Sequence, residues 1–219
     1  MTSRLGPTAA TKMDDIYRYQ RHVYDATRRF YLLGRNELIA GLDVPDHGSV
    51  LEVGCGTGRN LILAANVYPG ARLRGIDVSN AMLQTARSSI AAKGLESRIN
   101  VAPADATEFD PPQLFGEGQF DRVFISYTLS MIPAWRQVVG MAVRCVSQSG
   151  SLHIVDFGDF AAYPKLVRKA QLAWLRKFSV TPIPGLEAEL SQFAGELGLE
   201  TKLRRLYGGY AVLAELAYR

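Results

Sequence analysis

The chain predicts an α/β fold: a mostly parallel sheet with helices on both faces, closed at its C-terminal end by an antiparallel hairpin. Three observations predict it. Short apolar runs alternate with amphipathic stretches from residue 49 to residue 157, the pattern of strands buried on both faces and linked by crossover helices. A glycine-rich turn joins the first such strand to the first such helix. Near the C-terminus two strand-like runs flank the pair Gly208-Gly209.

Taken in order, residues 14–39 carry Ile16, Tyr19, Val23, Ala26, Phe30 and Leu33 at alternating three and four spacing, which predicts an amphipathic helix bent or ended by Gly34. A second line, Tyr17, Arg21, Tyr24, Arg28, Tyr31 and Arg35, follows the same spacing, so these side chains share one strip. After the turn signal "VPDHG", "SVLEVGC" reads as a buried strand and 59–67 as a helix. "RLRGIDV" is the second strand, and 80–93 a helix with Ser79 as N-cap. "INVAPAD", "FDRVFISY" and "SLHIVDF" are the third, fourth and fifth strands, with a helix over 133–146 before the last. A basic helix over 165–178 and a short one over 186–197 follow, then "ETKLRRLY" and "YAVLAELAY" as the hairpin. Residues 1–13 are expected to be flexible, 14–41 to form a separate helical layer, and 42–219 to form the sheet domain.

With 219 residues and 47% hydrophobic content, the chain has enough apolar surface for one core with decoration. The first residues, "MTSRLGPTAATKMDD", lack the apolar stretch of a signal peptide. The apolar-leaning run 123–135 is too short to cross a bilayer. Two cysteines, Cys55 and Cys145, suit a reducing compartment, so the cytoplasm is the expected location. The isoelectric point near 9.1 points to an anionic partner, and position matters more than total. Residues 17–35 hold five arginines and one acid, a balance of +4 that equals the net charge of the whole chain.

"LEVGCGTGRN" places Gly54, Gly56 and Gly58 between a strand and a helix, where the backbone can turn sharply and let a nucleotide-like ligand approach. Asp77 ends the next strand, 23 residues after Gly54, about where a carboxylate accepts hydrogen bonds from ribose hydroxyls. Two features argue against a dinucleotide. The loop runs G-x-G-x-G instead of G-x-G-x-x-G, and Glu52 stands two residues before the first glycine, where a carboxylate suits a cationic ligand better than a diphosphate.

"VLEVGCGTGRN", then "GIDVSNAML", then "PADATEFD" resembles the class I S-adenosylmethionine-dependent methyltransferases over almost the whole chain from residue 50. The resemblance implies a Rossmann-like fold with a seven-stranded, mostly parallel sheet, an antiparallel C-terminal hairpin and an N-terminal helical lid. It implies S-adenosylmethionine as cofactor, with no metal. By position it puts Glu52, Gly54, Gly56 and Gly58 at the methionine part, Asp77 at the ribose, and Met82, Asp105 and Ala106 at the adenine, with Asn60 and Val78 as further cofactor-binding residues. Ser126 and Tyr127 then occupy the fourth-strand end, where the methyl group is presented. The local alternatives are that Glu52 or Asp105 merely caps a helix and that Met82 is plain core.

The fourth-strand end "ISYT" lacks the signature of amino-methylating nucleic-acid enzymes, and no Pro-Cys nucleophile is present, which disfavours a nucleic-acid substrate. The stretch "YRYQRHVYDATRRFYLLGRNELIAGLDVP", with "FISYTLSMIPAW" and "LHIVDFGD", looks like the diacylglycerylhomoserine N-methyltransferases of betaine-lipid synthesis, which trimethylate an amine in three successive transfers. Diacylglycerylhomoserine is the substrate this resemblance implies. An arginine fork, Arg28 or Arg35, matches its carboxylate. Tyr17, Tyr24, Tyr31 and Tyr127 offer walls for an increasingly methylated cation, and Tyr24 or Arg35 instead touches the cofactor's methionine end in the other reading. His22, His153 and Asp156 are candidates to take the amine's proton, with Asp156 best placed at a strand's C-terminal end. Tyr24, Tyr127 and Asp156 are thus the expected residues of the reacting centre.

A diacyl substrate requires docking at the membrane's inner face. "YPKLVRKAQLAWLRKF" has five positive charges and no acid, with Leu166, Ala170, Ala173 and Trp174 expected on one side. It suits both an interfacial helix on an anionic membrane surface and a crossover helix with a wet basic face.

Overall fold

The computed structural model describes residues 32–218. Its first helix, α1 (Arg35–Ala40), starts after Gly34 in a left-handed conformation, φ 85°, so the helical pattern of the N-terminal segment is broken there. An added Cβ at Gly34 would lie 3.2 Å from Val155 Cγ2, so the chain passes close over the sheet at this point. The remainder of the 14–39 pattern, with Tyr17, Tyr24, Arg28 and Tyr31, lies outside the described residues.

The sheet domain then runs β1 (Ser49–Val53), α2 (Arg59–Val67), β2 (Arg72–Asp77), α3 (Asn80–Ala91), β3 (Ile99–Pro103), α4 (Pro111–Phe115) and β4 (Phe120–Ser126). It continues with a 3₁₀ turn (Leu129–Met131), α5 (Trp135–Arg144), β5 (Val146–Phe157), α6 (Lys165–Arg176), α7 (Leu186–Glu196), β6 (Leu199–Leu206) and β7 (Ala211–Tyr218). The seven strands form one sheet in the order β3-β2-β1-β4-β5-β7-β6. β1 to β5 pair in parallel, while β7 runs antiparallel to both β5 and β6. The order reverses at β1 and β4, which opens a crevice at their carboxyl ends.

Both faces of the central strands are covered, as their unbroken apolar runs require. Val50, Leu73, Phe124 and Val155 pack with α1, α2 and α3 on one face. Leu51, Val53, Ile125 and Ile154 pack with α5 and α7 on the other. Ser79 caps α3 as expected, its hydroxyl accepting from the Met82 N–H at 3.3 Å.

Several boundaries differ from the sequence reading, each for a local reason. β3 ends at Pro103, short of Asp105, whose carboxylate instead turns onto the Thr107 N–H at 2.8 Å. β5 begins five residues early and meets β4 through a register shift between Phe120 and Arg122. The hairpin is not a two-residue turn: Tyr207, Gly208 and Gly209 all have positive φ, and Leu206 pairs with Ala211. α4, capped by Asp110, has only five residues and shows no helical period in sequence. His153 is a satisfied core residue: it is buried and hydrogen-bonded to Ser151 Oγ at 2.8 Å. Among the described residues no helix is long and apolar enough to cross a membrane, and no cluster of side chains could hold a metal ion.

Candidate active site

A cavity of about 560 Å³ opens at the carboxyl ends of β1, β2 and β4, within the size range of small-molecule sites. Its floor is the glycine loop. The Gly54 and Cys55 N–H groups donate to the Ile76 carbonyl at 2.9 and 2.8 Å, tying the loop to the end of β2. Gly56 has φ +53, and a Cβ there would meet nothing within 4 Å among the described residues, so its missing side chain leaves open cavity. The Asp77 carboxylate holds both sides of this floor, accepting from the Gly56 N–H at 2.8 Å and from the Ser79 N–H at 2.9 Å. Asp77 thereby orders the loop as well as facing the cavity.

Of the residues read from sequence, Gly54, Gly56, Asn60, Asp77 and Val78 line this space, and so do Met82, Asp105 and Ala106 further along it. Ser126, Tyr127 and Arg35 complete the wall at the β4 end. Three expected residues are not on the wall. Gly58 is the N-cap of α2 and packs toward Ala86. Glu52 shares the buried face of β1 with Val50 and stands behind Asn60, whose Nδ2 donates to Glu52 Oε1 at 2.7 Å. Its role is to orient Asn60. Burial pushes the Glu52 carboxyl well above the usual range, opposed by the Asn60 hydrogen bond, and its Oε2 has no partner among the described residues.

Asp156 also departs from expectation, because its carboxylate is spent inside the protein. Oδ2 accepts from the Ser130 N–H at 3.1 Å and Oδ1 from the Phe157 N–H at 2.8 Å. It therefore braces the 3₁₀ turn after β4 and does not reach the cavity. Tyr127 does reach it, from an uncommon position. Its φ is +55, a conformation that costs a bulky residue about 1–3 kcal/mol and is concentrated at functional sites. Its ring meets Phe157 edge-on at 4.6 Å, and its buried hydroxyl donates to the Leu33 carbonyl. That bond fastens Leu33 over the strand end, between the wall residues Leu32 and Arg35.

Other wall residues escaped the sequence reading. Thr85 and Ser89 lie at three and seven residues from Met82 on α3, so helical spacing from Met82 was the available signal. Met131, Ile132 and Pro133 come from the irregular segment after β4, which no periodicity marks.

Residues 50–150 match the family model of a methyltransferase domain. The chain is 34% identical to a phosphatidylethanolamine N-methyltransferase of Cereibacter sphaeroides, over 72% of this chain and 79% of that protein. The chain belongs to the S-adenosylmethionine-dependent methyltransferases. A demethylmenaquinone methyltransferase of Bacillus cytotoxicus is 25% identical over 86% of this chain and 81% of its own. Among solved structures, the DhpI-SAM-HEP complex superposes with a TM-score of 0.66 over 96% of this chain and 99% of that one, at 19% identity, which shows the shared fold.

The geometry of this methyltransferase fits S-adenosylmethionine. The loop leaves room at Gly56, a carboxylate stands at the end of β2, and the buried Met82 lines the cavity and packs with Met131 and Phe178. Asp77→Asn retains one acceptor and turns an amide N–H₂ toward the other backbone N–H. Losing one charge-assisted bond costs about 1.5–3 kcal/mol, so S-adenosylhomocysteine affinity, measured by calorimetry, is expected to fall about tenfold or more. Unchanged affinity would dissociate Asp77 from the site.

Proposed function

We propose that this methyltransferase N-methylates the amine of a lipid headgroup, and that its acceptor is diacylglycerylhomoserine, converted to diacylglyceryl-N,N,N-trimethylhomoserine by three successive transfers. The observation that carries the lipid-amine class is the 34% identity to a phosphatidylethanolamine N-methyltransferase across most of both chains. The homoserine head group rests on the resemblance of the stretches around Tyr17–Pro45, Tyr127 and Asp156 to the betaine-lipid enzymes. Phosphatidylethanolamine itself is the second reading, favoured by the same relative. A quinone ring, suggested by the demethylmenaquinone relative, is weaker, since the match there is 25%.

The bound cofactor supplies a methyl group on a sulfonium, open to in-line attack by a neutral amine. The chain's own part is positioning and exclusion of water, since proximity is the large contribution in such a transfer. Asp77 and the glycine loop fix the cofactor's place. Ser126, whose Oγ has no partner among the described residues, and Tyr127 border the reacting end of the cavity. Arg35 stands on the same wall and is the described candidate for the acceptor's carboxylate, with Tyr17, Tyr24, Arg28 and Tyr31 completing that chamber in this reading. Asp156 keeps the turn bearing Ser130 in register and acts through it.

A diacyl acceptor would bring the enzyme to the cytoplasmic face of a membrane. Incubating the full chain with cofactor and detergent-dispersed diacylglycerylhomoserine, phosphatidylethanolamine or a demethylated quinone, followed by mass spectrometry, tests the reading. One, two and three methyl additions to the homoserine lipid are expected; methylation of either other acceptor in its place would overturn it.

A further inference from the structure

α6 leaves the sheet after β5 and is joined to it by the loop 158–164. That loop packs on the β6–β7 turn: the Phe160 N–H donates to the Gly209 carbonyl at 2.8 Å, and the Tyr163 hydroxyl to the Tyr207 carbonyl at 3.3 Å. This is the carboxyl end of the parallel strands, the end on which the cavity opens. At its far end α6 returns to the cavity, where Phe178 packs with Met131 and Met82 and the Thr181 N–H donates to the Ser130 carbonyl at 2.8 Å. The helix, about 18 Å long at 1.5 Å per residue, therefore crosses beside the cavity with one side packed inward. Leu175 is buried on that side, and Trp174, expected on one side with Leu166, Ala170 and Ala173, meets Phe178 at 5.0 Å between ring centroids.

The other side is uncovered among the described residues. Every residue from Lys165 to Ala170 is exposed, Leu166 by 81% and Val167 by 48%. Leu166, Ala170 and Ala173 fall at i, i+4 and i+7 on one exposed line, and Lys165, Lys169 and Arg176 form an adjacent line. Arg168 and Lys177 add two more cations, and no acid occurs between Asp159 and Glu187. None of the five cations forms an ion pair among the described residues. An apolar line of small and medium side chains beside a row of unneutralised cations is complementary to a bilayer with an anionic surface: the cations meet headgroups while Leu166 and Val167 enter the acyl boundary.

We propose that this exposed face of α6 is the surface on which the enzyme seats on an anionic lipid bilayer, with the cavity beside it. The proposal rests on the lipid-acceptor reading for its purpose but on charge and exposure for its location. Co-sedimentation of the full chain with vesicles of phosphatidylcholine alone, or mixed with phosphatidylglycerol, tests it at low and high salt. Wild type is expected to bind the mixed vesicles at least tenfold more tightly than the neutral ones, with binding falling steeply as salt rises.

Lys165→Glu/Lys169→Glu and, separately, Leu166→Asp are expected to reduce that binding at least tenfold. Both variants should keep the wild-type melting temperature and S-adenosylhomocysteine affinity, because these side chains are exposed and form no ion pair among the described residues. Equal binding by wild type and both variants would overturn the proposal. So would an absence of vesicle binding at low salt, or loss in the variants of binding to single-stranded DNA with no vesicle binding by any of them. Turnover on detergent-dispersed lipid separates the two readings: activity there without vesicle binding removes the docking face alone, and vesicle binding without activity on any lipid removes the acceptor alone.

Discussion

Gly54→Ala is expected to lower the stability of the enzyme by roughly 3 kcal/mol and to reduce S-adenosylhomocysteine binding beyond detection. Two separate costs add at this position. The backbone has φ +79, where a Cβ costs about 1–2 kcal/mol. The new methyl would also stand 2.6 Å from Thr128 Cγ2 and closer still to Thr128 Oγ1, an overlap of the kind that costs typically 1–3 kcal/mol. Neither partner can yield easily. Thr128 follows β4 in the segment that builds the cavity wall, and Gly54 is held to β2 by its N–H bond to Ile76.

The double variant Gly54→Ala/Thr128→Gly separates the two costs. It clears the overlap and leaves the dihedral strain, so, measured against Thr128→Gly alone because that change loses the Thr128 hydroxyl's bonds to Val53 and Ser126, part of the stability lost in Gly54→Ala should return, by thermal or urea unfolding. No recovery would mean that the loop fails for backbone reasons alone. Full recovery would mean that the positive φ is immaterial.

The strand-helix alternation from residue 49 to 157 was legible because each buried strand needs a continuous apolar run and each crossover helix an amphipathic one, and both are local patterns. The glycine loop and Asp77 were legible for the same reason, since their spacing is fixed by one strand, one turn and the next strand. What escaped depends on contacts between distant segments. That Glu52 faces Asn60 instead of the cavity follows from which face of β1 α2 covers. That Asp156 is consumed by the Ser130 N–H follows from the turn after β4, 26 residues away in sequence.

Tyr127 lines the cavity, and its hydroxyl bond to Leu33, which spans 94 residues, has no local signal in sequence. α4, at five residues, is too short to display a period. The tyrosine and arginine strip before Leu32 lies outside the described residues, so its expected share of the acceptor chamber stands as a proposal.

Two buried groups on β5 predict opposite pH dependences within one window. His153 lies opposite Glu215 across the β5–β7 pairing, and Glu215 is itself held by Lys202 at 3.1 Å. Burial overrides the attraction of Glu215, helped by Arg122 and Lys202, and lowers the His153 pKa from 6.5 to about 4. The unfolded chain thus binds a proton between those values that the folded chain does not, so His153 withdraws stability as pH falls. Asp156 works the other way. Burial raises its pKa from 3.8 to about 6, against the hydrogen bonds from Ser130 and Phe157, so the folded chain binds the extra proton and gains stability as pH falls through 6.

Each displacement corresponds to about 3 kcal/mol across its window. In the wild type the two slopes largely oppose each other, so the variants must expose them. The stability of wild type minus that of His153→Gln should fall by about 3 kcal/mol between pH 6.5 and 4, measured by urea unfolding. The same difference against Asp156→Asn should rise by a similar amount between pH 6 and 4. Asn keeps the volume and one acceptor while setting its N–H₂ against a backbone N–H, so a constant offset at neutral pH is expected as well and does not alter the slope. A flat difference curve for either variant would show that its parent group does not change protonation on folding in that range. Two curves of the same sign would mean that burial does not dominate at one of the two sites.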